Sequence, residues 1–233
     1  MGRMPDRLRP LWDFDDLDVT DARLRAQLDA EATDEGRAEV LTQLARVRGL
    51  RDEFDACEAL LQEAEPLAGD GVARVRVDLE RGRKLRSAGD GAGAAPLFEC
   101  AFARACSLGE FFLAGDAAHM VAIAEPGRME EWTRRGLELA DAQPDAAYWA
   151  GPLLNNLGWH LYDAGDYERA LEVFERALEA RRRDPDNQQA IEWAEQAVAD
   201  ARQALARQAD VVSKRSPPSS GNVSHGATER VYR

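Results

Sequence analysis

Apolar residues recur at helical spacing along most of the chain, and short Gly, Asp or Pro stretches interrupt them. Such a period predicts amphipathic helices. The breaks fall near Gly49, Gly69-Asp70-Gly71, Gly89-Asp90-Gly91, Gly109, Pro126-Gly127, Pro144, Gly165-Asp166 and Asp184-Pro185-Asp186. About ten helices of roughly 12–20 residues fit between them. Thr20 suits the N-cap of the first, with Leu24 and Leu28 on one face. Before it, residues 1–19 read as irregular and hold Leu11-Trp12-Asp13-Phe14-Asp15-Asp16, an aromatic–acidic alternation. The last helix, 186–210, starts at Asp186 with Gln189 as its capping-box partner. Residues 211–233 are rich in Ser, Pro and Gly and read as a disordered tail.

The alternation of short helices contains repeats. The clearest unit, 151–184, carries Leu154, Leu157-Gly158, Leu161, Gly165-Asp166-Tyr167, Ala170, Phe174 and Ala177. Leu41, Leu44-Ala45, Phe54, Cys57, Leu61 and Ala64 repeat its offsets. Gly89-Asp90, Ala94, Phe98 and Ala101 form another copy, behind a less regular first helix. A further copy runs from about Glu110 to Ala142 with Pro126-Gly127 at its turn. The markers Ala64, Ala101, Gly136 and Ala177 recur at intervals somewhat above the ideal ~34 residues. Small residues at such positions let paired helices approach closely. The final helix presents Ala190, Ile191, Ala194, Ala197, Val198, Ala201 and Leu205 as a narrow stripe, with polar residues elsewhere. One polar outer face is what a terminal cap of a stacked array needs.

These positions resemble the tetratricopeptide repeat, in which a Leu-Gly pair marks the first helix, Gly-Asp-Tyr the turn, and Ala, Phe and Ala the second helix. Leu154 and Leu161 depart from the usual Trp and Tyr, and the proline is displaced to Pro185. Further stretches, Glu80-Arg81-Gly82-Arg83, Asp116-Ala117-Ala118-His119-Met120 and Asn155-Asn156-Leu157-Gly158-Trp159, with the Leu11–Asp16 segment, resemble a bacterial group of tetratricopeptide proteins. That resemblance implies a family and no activity. The fold it implies is all-α, a right-handed α-α superhelix of about four helix-turn-helix repeats with flanking helices, over residues 20–210.

Composition sharpens this picture in three ways. The chain has 41 alanines and two isoleucines, a mixture that favours helix and excludes a β-sandwich or barrel. Its net charge is −13, with −16 on residues 1–210 and +3 on the rest, which argues against nucleic acid or an anionic membrane as partner. Cys57, Cys100 and Cys106 lie in apolar helical runs and read as buried, reduced thiols. With no apolar run near the roughly 18 residues of a membrane span and no signal-peptide pattern, the expected location is the cytoplasm.

The resemblance places first-helix residues on a concave groove. At the offsets of Asn155, Asn156, Trp159 and Tyr162 stand Thr42, Gln43 and Arg46, then Glu80 and Arg83, then Asp116 and His119. Some family members clamp a peptide carboxylate here with Asn and basic residues, but that full set is not present. No catalytic, metal or nucleotide motif appears, and Gly89-Asp90-Gly91-Ala92-Gly93 sits where a turn belongs. Asp116 and His119 share a helical face, and a structural pair is the reading preferred over an acid–base pair. Trp12 and Phe14 are expected to pack back onto the first repeat. Arg181-Arg182-Arg183 suits a helix C-terminus.

The sequence therefore points to a non-catalytic scaffold that binds a protein or peptide, with no cofactor or metal. Asn155, Asn156 and Arg83 would supply hydrogen bonds, and Trp159 and Tyr162 stacking. One alternative is an enzyme or small-molecule binder using Asp116 and His119 with Glu80 and Arg83. The other is a self-associating structural protein. Convergence of the candidate residues in one closed pocket would favour the first alternative, and their spread along an open groove would disfavour it.

Overall fold

The computed structural model describes residues 6–183 and 187–215, with side chains as far as Asp210. Ten α-helices and no strand occur among the described residues. They are α1 (Leu17–Ala30), α2 (Asp34–Leu50), α3 (Phe54–Ala64), α4 (Val72–Ser87), α5 (Gly91–Leu108), α6 (Phe111–Ala124), α7 (Met129–Ala142), α8 (Ala150–Asp163), α9 (Tyr167–Arg182) and α10 (Gln188–Arg215). A six-residue 3₁₀ segment, Pro144–Trp149, joins α7 to α8. Each helix packs against its successor in an all-α solenoid. Asp186 and residues 216–233, the expected cap and most of the expected tail, lie outside the described residues. Helix α10 itself continues past Asp210 to Arg215.

Local chemistry fixes the helix starts. The Thr33 hydroxyl accepts from Gly36 N, and the Asp90 and Asp166 carboxylates accept from Gly93 N and Arg169 N. The first helix corrects the sequence reading. Its N-cap is Asp16, whose side chain accepts from Asp18 N and Val19 N. Thr20 is fully buried inside the helix, where its hydroxyl accepts from Asp13 N and donates to Asp13 O, both at 2.8 Å. A buried Thr thus pins the preceding loop instead of capping the helix.

Three helix pairs cross at the same relative position. Gly158 of α8 faces Phe174 of α9: a Cβ on the glycine would lie 2.4 Å from the ring. Gly82 of α4 faces Phe98 of α5, where a Cβ would lie 2.5 Å away. Ala45 and Leu61, both fully buried, take these places in α2 and α3. The shared sequence offset settles the register of α4, the irregular helix of the pattern. Gln43, Glu80 and Asn156 are equivalent, and so are Arg46, Arg83 and Trp159.

The main core runs from Val75 to Ala201 without interruption, as stacked repeats require. Most of the expected stripe on α10 is present: Ala190, Ala194, Ala197, Val198 and Ala201 are buried, while Ile191 and Leu205 are half-buried at its edge. The cysteines are a partial correction. Cys57 is buried and its thiol is pushed up to about 11 by burial, while Cys106 is half-buried and Cys100 exposed. The run around Cys100 is apolar, but this residue falls on the outer face of α5.

The glycine crossing is testable. Gly158→Ala gains helix propensity but drives a methyl into a ring that is fully buried, and overpacking wins. Urea denaturation is expected to show a loss of about 1–3 kcal/mol. Gly127→Ala, with no atom within 4 Å of the new Cβ, should stay within about 0.5 kcal/mol of the parent.

Candidate functional site

The first helices of successive repeats are joined by polar side chains that form a ladder. The residue at the Arg46 position reaches, each time, the residue at the Glu80 position one repeat on. Arg46 Nη1 lies 3.9 Å from Glu80 Oε1. Arg83 Nη2 donates to both carboxylate oxygens of Asp116 at 2.6 Å, and its Nη1 donates to Glu80 Oε1 at 2.5 Å. Asn156 Nδ2 and His119 Nε2 are 2.8 Å apart. The amide nitrogen can only donate, so Nε2 accepts and the proton of a neutral His119 sits on Nδ1.

Burial decides what these groups do. Glu80 is 2% exposed and Asp116 5%. Burial alone would raise the Asp116 carboxyl, but Arg83 and Arg46 outweigh it and hold the carboxyl below its ordinary range. Burial likewise opposes the charge on Arg83, and Asp116 and Glu80 restore it, so the guanidinium is held more firmly charged than usual. Arg46 is less well served. Burial and the neighbouring Arg83 lower it, and its Nε is buried without a hydrogen-bond partner among the described residues. Burial also pushes His119 down to about 4, against the pull of Asp116, so the imidazole is neutral near pH 7.

The N-terminal segment enters the same groove. Arg76, buried in α4, donates to Asp6 at 2.6 Å and to Glu39 at 3.0 Å. Arg7 joins Glu39 and Glu31. Leu8, 1% exposed, seats the chain against Leu24, Val40, Leu44 and Val47. These anchors carry Trp12 and Phe14 inward from the edge of the repeat. Their rings stack at 4.9 Å, and Trp12 Nε1 donates to Gln43 Oε1 at 3.1 Å. The Arg46 guanidinium lies 5.3 Å from the Trp12 ring and 6.0 Å from that of Phe14.

The nine predicted groove residues therefore divide. Arg46, Glu80, Arg83, Asp116, His119 and Asn156 are brought together in the ladder. Asn155 and Trp159 lie further along, in a separate cavity of about 330 Å³ with Arg181, Trp193 and Gln196. Tyr162 packs edge-on against Trp159 and Tyr167 instead of opening to the groove. Between the two groups lies a cavity of about 340 Å³ lined by Arg9, Phe14, Arg46, Arg83, Asp116, His119, Tyr148, Trp149 and Arg181. Among the described residues, no three His, Cys, Asp or Glu side chains are grouped to hold a metal ion.

Sequence reasoning missed Arg9, Tyr148, Trp149, Arg181 and Trp193. Trp193 carried a signal, an indole outside the small-residue stripe of a polar helix. Tyr148 and Trp149 fell in a segment that read only as a break, and Arg181 had a sufficient account as a helix-end cation.

Residues 151–184, the α8–α9 pair, match the family model of the tetratricopeptide repeat. This segment is a tetratricopeptide repeat. The helix pairs before it stack as a tetratricopeptide-like array. The crystal structure of BtubC (BKLC) from P. vanneervenii is similar in fold, with a TM-score of 0.57 and 18% identity. The likeness covers 93% of this chain and 98% of that one. No curated protein matches the sequence.

The ladder gives two predictions. Asp116→Asn leaves Arg83 buried with half its compensation, and chemical denaturation should show a loss of about 3–5 kcal/mol. Arg83→Met/Asp116→Leu, which removes both charges, should recover part of it. The second concerns His119. Its folded value lies below its unfolded one, so the unfolded chain binds the extra proton between pH 6.5 and about 4. Stability is complete above this window and falls as pH drops through it. His119→Gln should flatten that part of the profile, and the His119 ring protons in NMR should titrate near 4.

Proposed function

We propose that the protein is a non-catalytic scaffold that docks a protein or peptide partner on the concave side of its array. The observation that carries this reading is the cavity formed by α8, α9 and α10. Trp159 and Trp193 flank it and are 36% and 65% exposed, among few large apolar side chains left in solvent. Tryptophan, tyrosine and arginine dominate binding energy where two proteins meet, because each contributes a large area together with a polar handle. Asn155, Gln196 and Arg181 supply that polar rim around the two indoles. A tetratricopeptide repeat forms one wall, and repeats of this kind generally mediate protein interaction.

This reading redistributes the work among the groove residues. Arg83, Glu80 and Asp116 satisfy one another, so withdrawing any of them to hold a partner would leave a buried charge unpaired. They act as the frame. Asn155, Trp159 and Trp193 are the contact surface, with Arg181 as the cation nearest the partner. The first half of the groove is covered by Trp12 and Phe14, which directs a partner to the α8–α10 end. No step in this account needs a nucleophile or an acid–base pair, and His119 is committed to Asn156.

The test is comparative affinity capture. The parent chain and a Trp159→Ala/Trp193→Ala variant would be used as bait, with circular dichroism to show that both fold. A protein retained by the parent and lost from the variant is the expected outcome, with affinity reduced at least ~30-fold for two truncated anchors. An identical set of retained proteins would overturn the reading. Light scattering over a range of concentrations tests the competing assignment, since a self-associating structural protein would grow in mass and a docking scaffold would not.

A further inference from the structure

The cavity between the ladder and the docking surface holds more positive charge than its surroundings explain. Four guanidiniums, from Arg9, Arg46, Arg83 and Arg181, line it against the carboxylate of Asp116, with Glu80 behind. This is a net positive pocket in a chain of net charge −13. Arg83 is fully paired. The other three are not. Among the described residues, no carboxylate lies within ion-pair distance of Arg9 or Arg181. Arg46 has only the distant Glu80 oxygen that Arg83 already holds at 2.5 Å.

Aromatic rings hold these cations in place of acids. The Arg9 guanidinium lies 5.0 Å from the Phe14 ring and 5.5 Å from the Tyr148 ring. The Arg181 guanidinium lies 5.7 Å from the same Tyr148 ring. Ring faces position a guanidinium and leave its N–H groups free to donate at the edge. Arg181 is also braced by Gly151, where a Cβ would meet its Nε at 2.6 Å. Three buried nitrogens of residues lining this cavity, Arg46 Nε, His119 Nδ1 and Trp149 Nε1, have no hydrogen-bond partner among the described residues. Unsatisfied buried donors are rare in folded proteins, and each calls for a partner.

We propose that this cavity binds an oxyanion, a phosphate or carboxylate group, held between Arg9, Arg46 and Arg181 and walled by Phe14, Tyr148 and Trp149. An oxyanion supplies what every open group here lacks. Its oxygens accept from several guanidinium forks at once, and charge-assisted bonds of that kind are the strong ones. Asp116 does not repel it strongly, because Arg83 engages both of its oxygens. The site is composite: Arg9 and Phe14 come from the N-terminal segment, Arg46 from α2, Tyr148 and Trp149 from the 3₁₀ segment, and Arg181 from α9. It goes beyond the docking reading, since a small anion needs no second protein.

The test uses the full chain in a chloride buffer of low ionic strength. Inorganic phosphate and glutarate are titrated separately by calorimetry, with tryptophan emission as a second readout. Saturable binding of either anion is expected. Arg9→Gln and Arg181→Gln should each weaken it about tenfold, the loss of one charge-assisted contact. Arg207→Gln, an exposed position on α10, should leave it unchanged. The His119 titration should move upward from about 4 when the site is filled, as an added negative charge requires. Binding of phosphate alone or glutarate alone identifies the source of the oxyanion. Binding of neither, or binding unaffected by both Arg9→Gln and Arg181→Gln, overturns the site.

Discussion

A buried chain of charges and hydrogen bonds runs through the first helices of this array, and the arrangement of the groove depends on it. Arg46, Glu80, Arg83, Asp116, His119 and Asn156 link four successive repeats through three contacts. In a solenoid each repeat touches only its neighbours, so the interface between neighbours sets both curvature and cooperativity. An apolar interface of alanines slides easily, because small side chains offer little that distinguishes one register from the next. A buried bidentate pair such as Arg83 with Asp116 allows one register only, since any slip leaves both charges desolvated and unpaired. The small residues bring the helices close, and the ladder fixes where they stop.

The sequence showed the array more clearly than the site, for a physical reason. Close crossings demand small residues, so Gly158, Ala45 and Ala177 were visible as spacing, whereas the ring that meets Gly158 was not: Phe174 reads in sequence as filler toward the next repeat and instead packs on Gly158 within its own pair. Asp16 and Thr20 were not separable in this way, because both are good N-caps and only tertiary burial places Thr20 inside the helix. The register of α4 was obscured because its groove side carries Arg76, Glu80 and Arg83 where a helix in isolation would present them to water. The groove positions themselves followed from the repeat offsets. Their partners did not, since each lies one repeat away, and no local pattern says that Arg83 meets Asp116 or that His119 meets Asn156. Arg9, Phe14 and Tyr148 were still harder to place, because they belong to irregular segments whose course is set by distant anchors such as Arg76 with Asp6.

Those anchors give the groove two unequal halves. Over the first repeats the groove is covered by the chain's own N-terminal segment, with Trp12 and Phe14 stacked above Arg46. At the α8–α10 end no such cover lies over Trp159 and Trp193 among the described residues, and the repeat that builds this end is the one whose signature is strongest. The polar position that holds Arg46, Arg83 and His119 in earlier repeats holds Trp159 in the last. The ladder stops at an indole that has no hydrogen-bond partner among the described residues, and the stopping point is where Trp159 and Trp193 stand partly exposed.

Electrostatics argues for the same division. The net charge of −13 disfavours an extended polyanion at long range. At short range the balance inverts. Arg9, Arg46 and Arg181 face a cavity whose nearest carboxylate, that of Asp116, is already held by Arg83. A single oxyanion group small enough to enter gains the local attraction without the cost of bringing an extended negative surface against the body. Selection by size and charge together follows from placing cations inside an acidic solenoid, and it follows only because the ladder keeps Asp116 and Glu80 occupied with Arg83.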